Sequence, residues 1–451
     1  MEYDEQCNTV PGVAESWKAS PDASEYTFLL RKGVTFHNGR ELTAEDVKKN
    51  YEHFMDPKTR SPRISGFKTV KQIEAIDKYT LKFYLTGPDA SFPDGFVSLV
   101  AYITAEESFE AKPPRPIGTG PFEFVEWQPR QYVKLRRFKN YWKKDKSGNT
   151  LPYVDEVILK PLTDGTVRYT ALRTGDVDWV FELPFEQVPD LMKNPPAGIV
   201  PAVKPGVRWF YLMFQTQHGP LKDVRVRQAV AYALDKKGIM DGLTWGIATP
   251  AAQPYSRDSQ WYLPIKDPYA EANLERAKQL LKESGHEKGV QLDTIVRNET
   301  IIMNLTTLVQ AQLKKAGVDL KLQVMDRATH QARQEKGDWD LNPGHLAYYS
   351  DPDSIYGDYM YGKEPRSNYG RCKNPEYDSL IEEARRISDV PKRKELYKKG
   401  LEILTRDVPY VFFGHLPVAQ AARSHVKNMK TNCRGDIRWF GGGVDHTWIE
   451  K

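Results

Sequence analysis

Asp351 and Asp353 flank a single proline. Two carboxylates this close are the minimum that acid–base hydrolysis of a glycoside needs. Nothing else in the chain completes such a constellation. There is no Gly-x-Ser-x-Gly elbow, no His-Glu-x-x-His and no Walker loop, and Gly118-Thr119-Gly120 lacks the third glycine and following helix of a dinucleotide site. The nine histidines are scattered without ligand-like spacing, and His37, among turn-forming residues, reads as a turn side chain rather than a metal ligand. Cys7, Cys372 and Cys433 show neither a CxxC nor a metal-finger pattern. The expectation is a protein without catalytic residues, metal or cofactor.

The elements that would position any site alternate between strand and helix. Tyr26–Arg31 is aromatic and branched and ends at Lys32-Gly33. Thr43 with Asp46 three residues later resembles a capping box, and Val47, Tyr51 and Phe54 then recur at helical spacing. Leu81, Phe83 and Leu85 alternate with polar neighbours as a half-buried strand. Residues 113–121 are dense in proline and glycine and read as a boundary. Phe122–Trp127 and Tyr132–Leu135 flank a short connection and predict a hairpin. After Lys204-Pro205-Gly206, the run Arg208–Phe214 predicts a buried strand. Asp223 then caps a helix with Val226, Val230 and Leu234 on one face. Glu275–Leu281 is helical. A helix over Leu305–Ala316 ends at Gly317, and Val318, Leu320, Leu322 and Val324 alternate as a strand. Helix, short loop and strand in this order define an α/β class.

At 451 residues the chain exceeds one ordinary core, so two or three domains are expected. Its 65 basic and 60 acidic residues give a net charge of +5, which makes no case for nucleic acid. No stretch approaches the roughly 20 apolar residues of a membrane span. Met1-Glu2-Tyr3-Asp4 is acidic and shows no signal-peptide pattern. For an exported chain, a Cys372–Cys433 bridge with Cys7 free stands as one open alternative.

Pro11-Gly12-Val13-Ala14-Glu15-Ser16-Trp17, the run from Tyr26 to Val34, Phe36-His37-Asn38-Gly39 and Leu42-Thr43-Ala44-Glu45-Asp46-Val47 together resemble the signature of the extracytoplasmic solute-binding proteins of ABC importers, family 5, the peptide/nickel/opine class. Gly118-Thr119-Gly120-Pro121-Phe122, Leu172–Asp178 and Asp223–Ala229 continue the resemblance in order, as far as Trp439. The resemblance implies an α/β, two-lobe periplasmic-binding-protein fold (type II, cluster C) with an extra inserted domain. Residues 1–118 would form the inserted domain with a remnant of the first lobe, 119–206 the first lobe, 207–420 the second, and 421–451 the return to the first. It also implies that the opening portion of the first lobe and a signal sequence are missing, so the parent protein would be periplasmic, or extracellular and membrane-associated.

In peptide-binding relatives the stretch similar to Trp339–Asp353 carries an aromatic residue and an aspartate that pairs with the peptide's α-amino group. A buried ammonium needs such a partner. Here no carboxylate lies between Leu341 and Ser350. The best register puts Tyr348 in the aspartate's place and His345 or Leu346 in that of the aromatic. Tyr348 and Tyr349 offer flat faces with hydroxyl handles, suited to sugars, aromatic acids, opines or amides; packing in a lobe core is their bland alternative. Trp209 and Tyr211, on a strand expected to cross between lobes, and Arg208, a carboxylate fork, complete the expected ligand-binding set.

The function that follows is capture of a small solute (oligopeptide, opine, sugar or a related organic molecule) by a monomer that closes on it and delivers it to permease subunits at the membrane. The rival readings are a secreted hydrolase of glycosides or peptides, and a cytoplasmic ligand-sensing or chaperone-like relative.

Overall fold

The computed structural model describes residues 1–59, 67–97, 102–109, 111, 115–347, 350–363, 368–436, 438–439 and 442–450. Its first unit is a four-stranded antiparallel sheet in the order Ala14–Ala19, Glu25–Leu30, Thr80–Leu85, Val70–Ala75. The helix Ala44–Met55 packs on it, starting at the box read from the sequence. The Asp46 carboxylate accepts from the Thr43 backbone N–H at 2.9 Å while the Thr43 hydroxyl accepts from the Asp46 N–H. Val47 and Tyr51 face inward, where Phe28, Phe36, Phe67, Phe83 and Phe92 close an aromatic core. A second, three-stranded sheet follows, Phe122–Gln128 with Tyr132–Arg137 and Glu156–Leu159, and its first pair is the expected hairpin.

The backbone of the molecule is a seven-stranded mixed sheet. Two strands dominate it: Ile199–Phe214, of 16 residues, and Tyr410–Arg423, of 14, paired antiparallel from Ile199–Arg423 to Met213–Tyr410. Trp179–Phe181 adds to one flank. Leu341–Ala347, Val290–Arg297 and Val318–Met325 extend the other, and the last two are parallel. The helix Thr300–Lys315 connects that parallel pair, starting five residues before the expected Leu305. A parallel pair requires a crossover of this kind. Asp223 caps the helix Val224–Tyr232 through Arg225 N–H at 2.8 Å, and Val226 and Val230 are buried as expected.

Different stretches of the long ribbon serve different cores. Around Ile199 it packs with Leu172, Val180, Leu191 and Ala421. Beyond Val207 each face has its own core, because side chains alternate along a strand. Phe210, Leu212 and Phe214 meet the helices bearing Val226, Ile239 and Leu305, while Trp209 and Met213 meet Tyr255, Tyr356, Tyr377 and Tyr397. A register shift between Pro205 and Trp209 marks the passage from one region to the other. Gly206 sits in it with no room for a Cβ, which would strike the Leu416 carbonyl.

The cysteine pairing differs from the expected alternative. Cys7 is bonded to Cys433, with Cα atoms 5.9 Å apart, and Cys372 is the buried free thiol. The cause is local. The N-terminal ribbon (Glu2–Tyr3 with Thr9–Val10) brings the Glu5 carbonyl to the Cys433 N–H at 3.0 Å, and the Cys433 carbonyl accepts from Val207 N–H at 3.0 Å. Cys372 instead lies beside Asn368, whose side-chain oxygen accepts from the Cys372 N–H at 2.9 Å. Among the described residues no helix is long and apolar enough to cross a membrane.

Candidate functional site

The long strand exposes its chemistry where the units meet. The core on one face of Val207–Met213 contains Trp209 together with Tyr3 and Cys7 of the N-terminal ribbon and Val97 from the end of the four-stranded unit. Trp209 is 1% exposed, with its ring 5.2 Å from those of both Tyr211 and Phe412. Its Nε1–H is enclosed and has no hydrogen-bond partner among the described residues. Buried donors of this kind are rare in folded proteins and ask for an explanation. Tyr211 stands edge-on to Tyr410 at 5.6 Å, and burial pushes its hydroxyl up to about 12. It lies over Gly344, its ladder partner, where any Cβ would collide with the phenol ring.

Arg208 and His345 belong to the opposite face. Ladder register pairs Arg208 with Ala347, Trp209 with Leu346 and Phe210 with His345. Directly paired residues share a face and sequence neighbours do not. Arg208 is exposed and lies 3.8 Å from Glu182, which follows the flanking strand Trp179–Phe181. His345 is edge-on to Phe210 at 6.0 Å, with Nε2 at 2.9 Å from Glu299 Oε1 and 3.2 Å from Arg297 Nη2. Burial holds the imidazole below its ordinary value. The structure therefore brings Trp209, Tyr211 and Leu346 together and sets Arg208 with His345 on the other side. Tyr348 and Tyr349 lie outside the described residues.

Sequence reasoning missed Thr9, Asp94 and Ser350. The Thr9 hydroxyl donates to Asp94 Oδ1 at 2.5 Å and is also hydrogen-bonded to the Ser350 hydroxyl, so three segments remote in the chain meet. No local motif announces this contact. The suspected acid–base pair is otherwise engaged. Arg393 binds Asp351 with two nitrogens, and Arg385 Nε donates to Asp353 Oδ1 at 2.8 Å, with both carboxylates buried.

A concavity of about 540 Å³ lies between the four- and three-stranded sheets, walled by Tyr51, Phe96, Phe122, Phe124, Val133 and Trp142. Two of its polar residues are paired within the protein. Lys143 Nζ meets Glu2 Oε2 at 2.5 Å, His37 Nδ1 accepts from Gly118 N–H at 3.2 Å, and His37 Nε2 lies 3.1 Å from the Gly120 carbonyl oxygen. His37 is thus a turn residue. Among the described residues no group of three or more His, Cys, Asp or Glu is arranged to hold a metal ion.

Comparison with known proteins agrees with this architecture. The family of bacterial extracellular solute-binding proteins, family 5 Middle, matches residues 8–367. Heme-binding protein A of Haemophilus influenzae is 30% identical, over 96% of this chain and 84% of that protein. The dipeptide-binding protein of Escherichia coli is 28% identical, over 93% and 83%. Among solved structures, HbpA2 from Haemophilus parasuis superposes with a TM-score of 0.85 at 26% identity, covering 100% of this chain and 93% of that one. The periplasmic binding protein DppA from Helicobacter pylori, in complex with the peptide STSA, gives 0.79 at 27%, covering 100% and 91%. The family match over residues 8–367 and the likeness along the whole chain show that it belongs to the bacterial extracellular solute-binding proteins of family 5, which capture solutes for ABC importers.

Proposed function

We propose that this chain grips a small peptide, or a flat organic molecule of similar size, against the Trp209–Tyr211 face. It then hands the solute to a membrane permease from the periplasmic or extracellular side. The observation that carries the reading is the enclosed Trp209 Nε1–H, which has no partner among the described residues. A ligand carbonyl would satisfy it, and the faces of Trp209 and Tyr211 would stack on the remainder. Arg208, exposed beside Glu182 on the opposite face of the strand, is the cation for a carboxylate of a solute long enough to pass around it. Tyr348 and Tyr349 join the ligand-binding set on the family resemblance alone, and His345 accompanies Arg208 on its face of the sheet. Chemistry on the solute is not part of this role, since Asp351 and Asp353 are held by arginines. Residues 1–118, 119–206 with 421–451, and 207–420 are the units that would move relative to one another.

Two lobes alter their equilibrium only by the ligand's differential affinity for the closed state. A shift from 1:99 to 99:1 takes about 5.5 kcal/mol, which calls for several buried hydrogen bonds together with aromatic stacking. The test is native mass spectrometry of the protein purified without denaturant, followed by calorimetry of the released solute. Trp209→Phe keeps the apolar face and removes the donor, so affinity is expected to fall about tenfold, or about 1.4 kcal/mol. Unchanged affinity in that variant would remove Trp209 from the site.

A further inference from the structure

The contact among Thr9, Asp94 and Ser350 has no structural necessity within any one unit. Asp94 sits on the short 3-10 helix Phe92–Val97 that follows the four-stranded sheet, Thr9 on the N-terminal ribbon, and Ser350 in the loop leading to Asp351 of the second lobe. Four residues before Asp94, Ala90 N–H donates to the Arg385 carbonyl at 2.9 Å. These two contacts fasten the four-stranded unit to the second lobe. The Asp94 residue is only partly buried, yet its carboxylate is enclosed: Oδ2 has no solvent contact and no hydrogen-bond partner among the described residues.

The charges around it do not compensate a carboxylate. From the second lobe Asp351 faces it. The nearby cation, Arg393, is already held by Asp351 at 2.5 and 2.7 Å, and the next pair, Asp353–Arg385, is likewise closed on itself. Its other ionisable neighbours are two buried phenols: Tyr26, whose hydroxyl donates to the Asp89 carbonyl, and Tyr255, whose hydroxyl donates to the Asp351 carbonyl. On its own side Asp89 accepts from Ser91 N–H and the Ser91 hydroxyl.

We propose that Asp94 is a proton-operated latch: neutral, it holds the four-stranded unit to the second lobe through Thr9 and Ser350, and ionised, it releases them. Burial first, and the Asp351 charge second, push the Asp94 carboxyl up to about 7 in the latched form. Released into water it would return to the ordinary aspartate range near 4. Between those values the latched form binds the extra proton, so latching strengthens as pH falls and weakens as pH rises, then levels off above about 7. A protein built this way would open more readily in neutral surroundings than in acidic ones, with or without solute.

Hydrogen–deuterium exchange of the segments 89–97 and 351–357 reads the opening equilibrium directly. After correction for intrinsic exchange, opening of these segments in the unaltered chain is expected to rise about tenfold per pH unit between pH 5 and 7. Asp94→Asn, which fixes the neutral state, is expected to abolish that slope. Thr9→Val, which removes the bridging hydroxyl, is expected to raise opening at pH 5 about tenfold. Protection independent of pH in the unaltered protein overturns the latch whatever the variants do. So does an unchanged slope in Asp94→Asn, or full protection at pH 5 in Thr9→Val.

Discussion

Arg393 holds Asp351 with both terminal nitrogens, Nη1 to Oδ2 at 2.5 Å and Nη2 to Oδ1 at 2.7 Å, in a buried pair. The arginine rests against the Trp261 and Tyr397 rings and also donates to the Ala384 carbonyl. A carboxylate so engaged is a structural anchor and not a general acid. Removing one partner of a buried pair leaves an uncompensated charge, which costs about 3–5 kcal/mol. Asp351→Ala, which strands the Arg393 guanidinium, is therefore expected to lower the denaturant midpoint strongly, whereas Asp351→Asn, whose amide oxygen still accepts from that guanidinium, is expected to cost less. Equal stability of Asp351→Ala and the parent chain would show that the pair is not an anchor.

The Cys7–Cys433 bond ties the N-terminal ribbon to the loop that receives the Val207 N–H. Loss of a native disulfide costs about 2–5 kcal/mol. Reduction, or Cys433→Ser, should lower the melting temperature accordingly. Cys372 should stay unreactive toward thiol reagents until the chain unfolds, because burial pushes its thiol up to about 12. Rapid labelling of one thiol in the oxidised native protein would contradict this assignment.

His415, buried in the long strand Tyr410–Arg423, has its imidazole brought down to about 4 by burial. The unfolded chain would protonate it near 6.5. Between those values the unfolded state binds the extra proton, so His415 makes stability fall as pH drops from about 6.5 to 4, by up to about 3 kcal/mol. Asp94, and Asp445, whose carboxyl burial pushes up to about 6, act in the opposite sense over part of that range. A global melt reports the sum, so the prediction is read as a difference. His415→Gln should lose less stability than the parent chain between pH 6.5 and 4.5, measured by urea titration. Parallel pH profiles would refute it.

What was legible in the sequence was local or periodic. The Thr43–Asp46 box, the 122–137 hairpin and the Asp223 cap each rest on residues a few positions apart, and each formed as read. The extent of Ile199–Phe214 was read short because Lys204-Pro205-Gly206 signals a break, yet the ribbon absorbs it as a register shift. The Cys7–Cys433 bond and the Thr9–Asp94–Ser350 contact join segments far apart in the chain, so no spacing rule reaches them. The division of Arg208 and His345 from Trp209 and Tyr211 needed only strand alternation plus the register with Leu341–Ala347. The first was visible in the sequence. The second was not.

Solution scattering during titration with the solute released from the purified protein tests the account most directly. The radius of gyration is expected to fall as the lobes close, with a parallel rise in melting temperature as ligand binds only the folded state. A solute that saturates the protein and leaves its dimensions unchanged would contradict capture between the lobes.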